Sequence, residues 1–205
     1  MAKRPAAARA VPSAYSDLEI AIEHKGWDSI RGLRPLLGRA AEMTLAHLPE
    51  KYRFPVAFTV LLTGDKQVET LNHDYRGQKK PTNVLSFPQV EPEDLTRLGK
   101  TVKGQKNAAL CIGDIAMAYQ YMVVEAKNDN KILKNHAAHL LIHGILHLFG
   151  YDHLTDPEAG RMERLETKIM AALGLPDPYV APPRTEPKKA KTVGKQRSTR
   201  AKPKR

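Results

Sequence analysis

Five of the eight histidines in this chain of 205 residues lie between positions 136 and 153. His143 and His147 are four residues apart, so on a helix both imidazole rings can reach one metal ion. Gly150 then allows the chain to leave the helix through a positive φ angle, and His153 can swing back over the same place. Three neutral nitrogen ligands with a fourth position left for water are typical of a catalytic zinc site.

The segment that carries these histidines predicts a buried helix, because its other faces are apolar. Four histidines share one face of that helix, within a sector of roughly 80° at about 100° per residue: His136, His139, His143 and His147. A structural zinc site is closed and usually contains cysteines, and Cys111 is the only cysteine. We therefore predict one Zn²⁺ per chain, held by His143, His147 and His153. We interpret His136 and His139 as ordinary residues of the helix face, with His139 a weaker candidate for a groove beside the metal.

A similar histidine spacing occurs in the zinc proteases called metzincins, whose pattern is H-E-x-x-H-x-x-G-x-x-H. The glutamate of that pattern is the general base that acts on water. Gly144 stands at its position in this chain. A standard protease mechanism would therefore lack its proton acceptor, and a metzincin-like hydrolase of another substrate, such as a peptide, is the alternative function.

Three motifs that follow one another in the chain resemble the signature of the YbeY endoribonucleases. They are Tyr75-Arg76-Gly77 with the PTNVLSFP stretch at 81–88, then Gly113-Asp114-Ile115, then HGILHLFGYDH at 143–153. The resemblance covers about residues 60–170. It implies a single-strand-specific, metal-dependent endoribonuclease of bacteria that serves maturation of the 3′ end of the small-subunit ribosomal RNA and ribosome quality control. It also implies RNA, the small ribosomal subunit and assembly factors as partners, and a non-enzymatic assembly factor with structural zinc is a further alternative.

The resemblance gives Arg76 a catalytic role, because the family motif carries an arginine here in a groove that faces the metal. A guanidinium can hold a phosphate through two hydrogen bonds and stabilise charge that grows in the transition state. Ser86 could point its hydroxyl into the groove or satisfy neighbouring backbone. Asp152 could orient an imidazole N–H, whereas Asp114 is interpreted as a helix cap. The expected chemistry is metal-assisted phosphodiester cleavage, with the general base unassigned.

Strand patterns come first in the chain and helical patterns dominate its end. This order predicts an α+β fold, a small mixed β-sheet packed with about five helices, whose central buried helix carries the histidines. The predicted strands cover 16–24, 56–62, 83–87 and 108–115. The predicted helices cover 29–48, a short segment after residue 63, 116–128, 132–149 and 157–173. Residues 89–107 are polar and are predicted to form a mobile loop.

The net charge of +11 is concentrated at the two ends of the chain. Residues 184–205 carry ten Lys and Arg and one acid, for +9, and residues 1–13 carry +3, so 14–183 must carry 11 − 12 = −1. We predict one hydrolase domain over 14–178, flanked by disordered basic tails at 1–13 and 179–205.

Basic tails attract polyanions by counterion release, which favours RNA as the partner. No apolar run reaches the roughly 18 residues of a membrane span, and the N-terminus lacks the apolar core of a signal peptide. A single cysteine suits a reducing compartment. These features favour a cytoplasmic protein with no membrane partner.

Overall fold

The computed structural model describes residues 16–180. Within them the chain forms four strands and seven helices, with a 3₁₀ turn at Glu50–Tyr52. The elements in order are β1 (Ser16–Ile22), α1 (Lys25–Asp28), α2 (Leu33–His47), β2 (Val56–Thr63), α3 (Asp65–Arg76), β3 (Val84–Pro88), α4 (Pro92–Val102), β4 (Leu110–Ala118), α5 (Tyr119–Asn128), α6 (Leu133–Leu148) and α7 (Asp156–Ala172). The tail predicted at 1–13 and residues 181–205 of the tail predicted at 179–205 lie outside the described residues. The predicted domain boundaries stay predictions.

The four strands form one mixed sheet in the order β1-β2-β4-β3. β1, β2 and β4 are parallel, and β3 pairs antiparallel with β4 at one edge. Along β2 the side chains alternate, and four of them point into the main core: Val56, Phe58, Val60 and Leu62. This period of two is what an apolar strand covered on one face requires. The prediction of an α+β fold with a small mixed sheet is confirmed.

β4 contains a bulge that directs two isoleucines into the same core. Its pairing with β2 skips a residue at Ile112, so Ile112 and Ile115 are both buried although they are three residues apart. Gly113 makes this possible: its φ is +140°, and a Cβ at this position would lie 2.2 Å from the Phe87 carbonyl oxygen. Only glycine accommodates both the φ angle and the close approach of β3.

Helices cover the sheet on both faces. α6 is buried along most of its length and packs against β3 and β4 and against α2, α5 and α7. α3 covers the opposite face, where Val68 packs with Leu85, Ala116 and Ala118. Because alternate residues of β3 point to opposite faces, Ser86 faces α6 while Leu85 faces α3.

The prediction of a loop over 89–107 is wrong, because residues 92–102 form α4. Pro92 occupies the first turn, where proline fits a helix, and acidic residues follow it as helix N-termini favour. Leu95 is buried, and the Phe54 ring occupies the space that a Cβ at Gly99 would need. The composition of this segment does not reveal the helix, because its apolar face is narrow and its other residues are polar.

The remaining differences from the predicted elements concern boundaries and number. β4 continues to Ala118, three residues past the predicted end, and α5 begins only at Tyr119. The short α1 and α4 raise the helix count from about five to seven. None of the helices within residues 16–180 combines the length and apolar character that crossing a membrane requires.

Candidate metal centre

Three histidine side chains converge where α6 ends. His143 and His147 lie one turn apart on α6, and Gly150, with φ +78°, turns the chain so that His153 returns to the same place. One ligand atom from each histidine lies within 4.8 Å of the other two. The structure thus places all three predicted ligands where they can bind one metal ion.

The ring of His143 is held by a buried carboxylate. Its Nδ1 lies 2.9 Å from Oε1 of Glu166, which projects from α7 and is fully buried. An ionised carboxylate only accepts hydrogen bonds, so Nδ1 of His143 donates this bond and Nε2 is left for other contacts. That Nε2 lies 3.0 Å from Nε2 of His147, so the two nitrogens face a common point. A carboxylate that orients a metal-ligating imidazole through its other nitrogen is a recurring arrangement in metal sites.

His139 and Tyr179 both form hydrogen bonds with the second oxygen of the Glu166 carboxylate. Nε2 of His139 lies 2.9 Å from Oε2 of Glu166, and the Tyr179 hydroxyl also donates to that oxygen. The Tyr179 ring meets the His139 ring edge to face, with centroids 5.5 Å apart. His139 is therefore buried beside the three histidines and shares Glu166 with His143.

Electrostatics keep Glu166 charged and His147 neutral. Burial by itself would raise the pKa of Glu166, but the hydrogen bonds from His139 and His143 outweigh it and lower the pKa to about 2. Burial, together with the neighbouring His143 and His153, lowers the pKa of His147 to about 4. His147 is accordingly a neutral imidazole near pH 7, which is the form that binds metal. Burial and the contact with Glu166 raise the pKa of the Tyr179 hydroxyl, so it stays a donor.

Ser86 and Asp152 both contact backbone rather than imidazole nitrogens. The Ser86 hydroxyl donates to the Gly144 carbonyl at 3.2 Å, which fastens β3 to α6 next to a predicted ligand. Asp152 accepts from the backbone N–H of His153 at 2.8 Å and so fixes the backbone of the third predicted ligand.

Arg76 belongs to an element that carries none of the three histidines. Arg76 is the last residue of α3, its side chain is exposed, and within residues 16–180 it takes part in no ion pair. Asp114 lies inside β4 and accepts from the Gln89 amide at 2.9 Å. The interpretation of Asp114 as a helix cap is therefore wrong, since β4 continues for four residues beyond it.

Two carboxylates that support the histidine helix were missed by the sequence analysis. They are Glu166, described above, and Glu125, which bonds Nε2 of His136 at 2.9 Å and the Asn83 amide at 3.0 Å. The sequence does contain a signal for Glu166, because this residue lies at helical spacing among the buried Met162, Ile169 and Met170. An acidic residue on the apolar face of a helix requires a buried partner.

The profile of a family described as "Endoribonuclease YbeY" matches residues 25–174. A protein of Allorhizobium ampelinum with that name is 42% identical over 169 residues, covering 80% of this chain and 94% of the relative. One from Sinorhizobium fredii, also so named, is 41% identical over 177 residues, covering 83% and 95%. The solution structure of a Thermotoga maritima protein aligns with a TM-score of 0.46 at 23% identity, covering 80% of this chain and 99% of that one.

Proposed function

Because this chain belongs to the endoribonuclease YbeY family, we propose that it is a single-strand-specific, metal-dependent endoribonuclease that acts on ribosomal RNA. Its proposed roles are maturation of the 3′ end of the small-subunit RNA and ribosome quality control, with the small subunit and its assembly factors as partners in the cytoplasm. The observation that carries the proposal is the convergence of His143, His147 and His153. The relatives are named as endoribonucleases, which makes RNA the substrate.

Zinc is the proposed metal, one ion per chain. Three imidazoles form a donor set that suits Zn²⁺ and leaves a position open for reactants. The protonation of two of these histidines supports a bound metal, because His143 donates to Glu166 through Nδ1 and His147 is neutral near pH 7. When bound, the ion would supply Lewis-acid chemistry to the cleavage of a phosphodiester.

Other residues of the chain are proposed to orient the metal ligands and to bind the substrate. Glu166 orients His143, and His139 and Tyr179 hold Glu166. Arg76 is proposed to bind the scissile phosphate and to stabilise its growing negative charge. An exposed guanidinium without an ion-pair partner among residues 16–180 is available for that contact.

The packing of Gly144 argues against the metzincin-like alternative. A Cβ at this position would lie 3.1 Å from the side chains of Ile115 and Ser86, so position 144 faces the sheet. A glutamate there would be directed into packed side chains rather than into solvent beside the histidines. A side chain at the position where those proteases carry their general base therefore requires Ile115 and Ser86 to move.

A panel of substrates tests the proposed function. Zinc-loaded protein is incubated with a single-stranded RNA, the same sequence as a duplex, and a casein-type peptide. We expect cleavage of the single strand, slower or no cleavage of the duplex, and an intact peptide. Cleavage of the peptide but not of RNA would establish the alternative hydrolase, and no cleavage of any substrate would favour an assembly factor with structural zinc.

Replacing Glu166 with glutamine is expected to weaken zinc binding about 10- to 100-fold, as loss of an outer carboxylate typically does. Glutamine keeps the size of the side chain but accepts with one oxygen only, so it cannot bond His139 and His143 together. Competition with a chromophoric chelator measures the affinity. Glu163→Gln, at an exposed position of the same helix, is the control, and equal affinities of the two variants would show that Glu166 does not orient a ligand.

Deleting residues 181–205 is expected to weaken RNA binding at low salt and to leave cleavage at saturating RNA nearly intact. The segment carries ten basic residues and one acid, for a net +9, and it contains none of the proposed ligands. For single-stranded RNA the slope of log K against log salt is about −0.7 per neutralised phosphate, so full engagement contributes roughly −6. Titration of a labelled RNA at several salt concentrations measures the slope. Identical slopes for the full and shortened chains would exclude a role of the segment in RNA capture.

A further inference from the structure

The last turn of α3 presents an exposed aromatic ring. Tyr75 is 70% exposed, although tyrosine commonly buries its ring. One side of the ring rests on Phe87 of β3, with centroids 4.9 Å apart and planes inclined by 59°. Phe87 itself packs on the small core between α3 and the sheet. One side of the Tyr75 ring is therefore covered by Phe87, and the other side is open to solvent.

Three basic residues follow Tyr75 within five positions of the chain. Arg76, Lys79 and Lys80 are all exposed, and none of them takes part in an ion pair within residues 16–180. The turn that carries the lysines is ordered by the chain itself, since the buried Asn72 amide donates to the Lys80 carbonyl at 2.8 Å. Tyr75 is thus followed in the chain by three cations that form no ion pair within residues 16–180, and two of them lie on a turn that this bond holds.

The edge strand β3 connects this surface to the metal centre. Phe87 contacts Tyr75, and the preceding residue Ser86 points to the other face and bonds the Gly144 carbonyl beside His143. β3 is the outermost strand of the sheet. The same strand therefore contacts Tyr75 on one face of the sheet and the helix of the histidines on the other.

We propose that Tyr75 is a stacking platform for an unpaired base of single-stranded RNA, whose phosphates are attracted by Arg76, Lys79 and Lys80. The proposal rests on the ribonuclease function proposed above and names one contact of its substrate. Aromatic rings beside basic side chains bind single strands with little sequence preference, because every base offers a flat face. Bases in a duplex are already stacked on one another, so the platform also contributes to the preference for single strands.

The test measures binding without cleavage, in protein that carries His147→Ala and is free of metal. We expect Tyr75→Leu to weaken binding of a labelled oligouridylate roughly 5- to 150-fold, as loss of one stacked base does. Tyr75→Phe should bind as the parent does, because the flat ring is retained. Tyr121→Leu, which alters another exposed tyrosine, should also bind unchanged. Melting temperatures of all variants report whether the fold is intact.

Salt dependence separates stacking from charge. Tyr75→Leu should shift log K by the same amount at every salt concentration, whereas Lys79→Ala should flatten the slope by about 0.7. In Tyr75→Trp the new indole should be quenched by the single strand and not by a duplex, while Trp27, which is 1% exposed, contributes a constant background.

Equal affinity of Tyr75→Leu and the parent, or emission of Tyr75→Trp that RNA leaves unchanged, would overturn the platform. Binding of an aromatic or proline-rich peptide by this surface, without binding of RNA, would also overturn the proposal. These readouts are independent of catalysis: if protein with intact histidines cleaves RNA while these variants bind alike, only the platform fails. If the variants differ as expected and no RNA is cleaved, only the proposed nuclease function fails.

Discussion

Replacing His147 with alanine is expected to remove the bound zinc and to abolish RNA cleavage while the fold remains. The wild-type protein should hold about one zinc per chain, since three converging imidazoles form the site. Losing one ligand should lower the affinity more than the roughly 10- to 100-fold that outer contacts contribute. Alanine is the strongest helix former, so the last turn of α6 should persist. Elemental analysis of the purified proteins measures the metal.

The control for this change is a histidine outside the cluster. His47 ends α2, and its Nδ1 bonds the Met43 carbonyl within the same helix. His47→Ala should keep wild-type zinc content and activity. Equal metal in the wild type and in His147→Ala would show that the three histidines are not the metal site.

Replacing Arg76 with alanine or with lysine is expected to slow RNA cleavage ~10²–10³-fold, the usual effect of losing one charge-stabilising contact in a transition state. Lysine should not rescue the rate, because an ammonium cannot make the paired contact of a guanidinium. Zinc content and melting temperature should stay at wild-type values, because the side chain is exposed. Single-turnover cleavage of a short RNA measures the rate.

Arg97 provides the matched control for Arg76. It is an exposed arginine on α4 that pairs with Asp94 at 2.8 Å, and surface pairs of this kind contribute little to stability. Arg97→Ala should therefore cleave RNA at the wild-type rate. Full activity of Arg76→Lys would show that Arg76 contributes only its positive charge.

The sequence predicted those parts of the fold whose signal is local. β2 is rich in apolar and β-branched residues, and the histidine helix shows an apolar surface with one polar ridge, so both are predicted with nearly correct bounds. α4 was missed because only Leu95 and Gly99 are buried and the rest of the helix is polar. Its position depends on the Phe54 ring, which packs against Gly99 from 45 residues earlier in the chain and leaves no local pattern.

The same distinction holds for the candidate site. The convergence of three histidines follows from a spacing of four on a helix and a glycine turn, which a sequence displays directly. Glu166 lies 23 residues beyond His143 and meets it only because α7 packs against α6. The orientation of a ligand by a remote carboxylate depends on helix packing, so it required the structure. The role of Arg76 rests on the family resemblance and stays a prediction.

Cleavage of a small-subunit ribosomal RNA precursor tests the central claim most directly. Zinc-loaded wild type and His147→Ala are incubated with the precursor at equal concentration, and the new RNA ends are mapped. We predict that the wild type cuts within single-stranded regions near the 3′ end and that His147→Ala makes no cut. An intact precursor with zinc-loaded wild type, or the same cuts made by His147→Ala, would contradict the account.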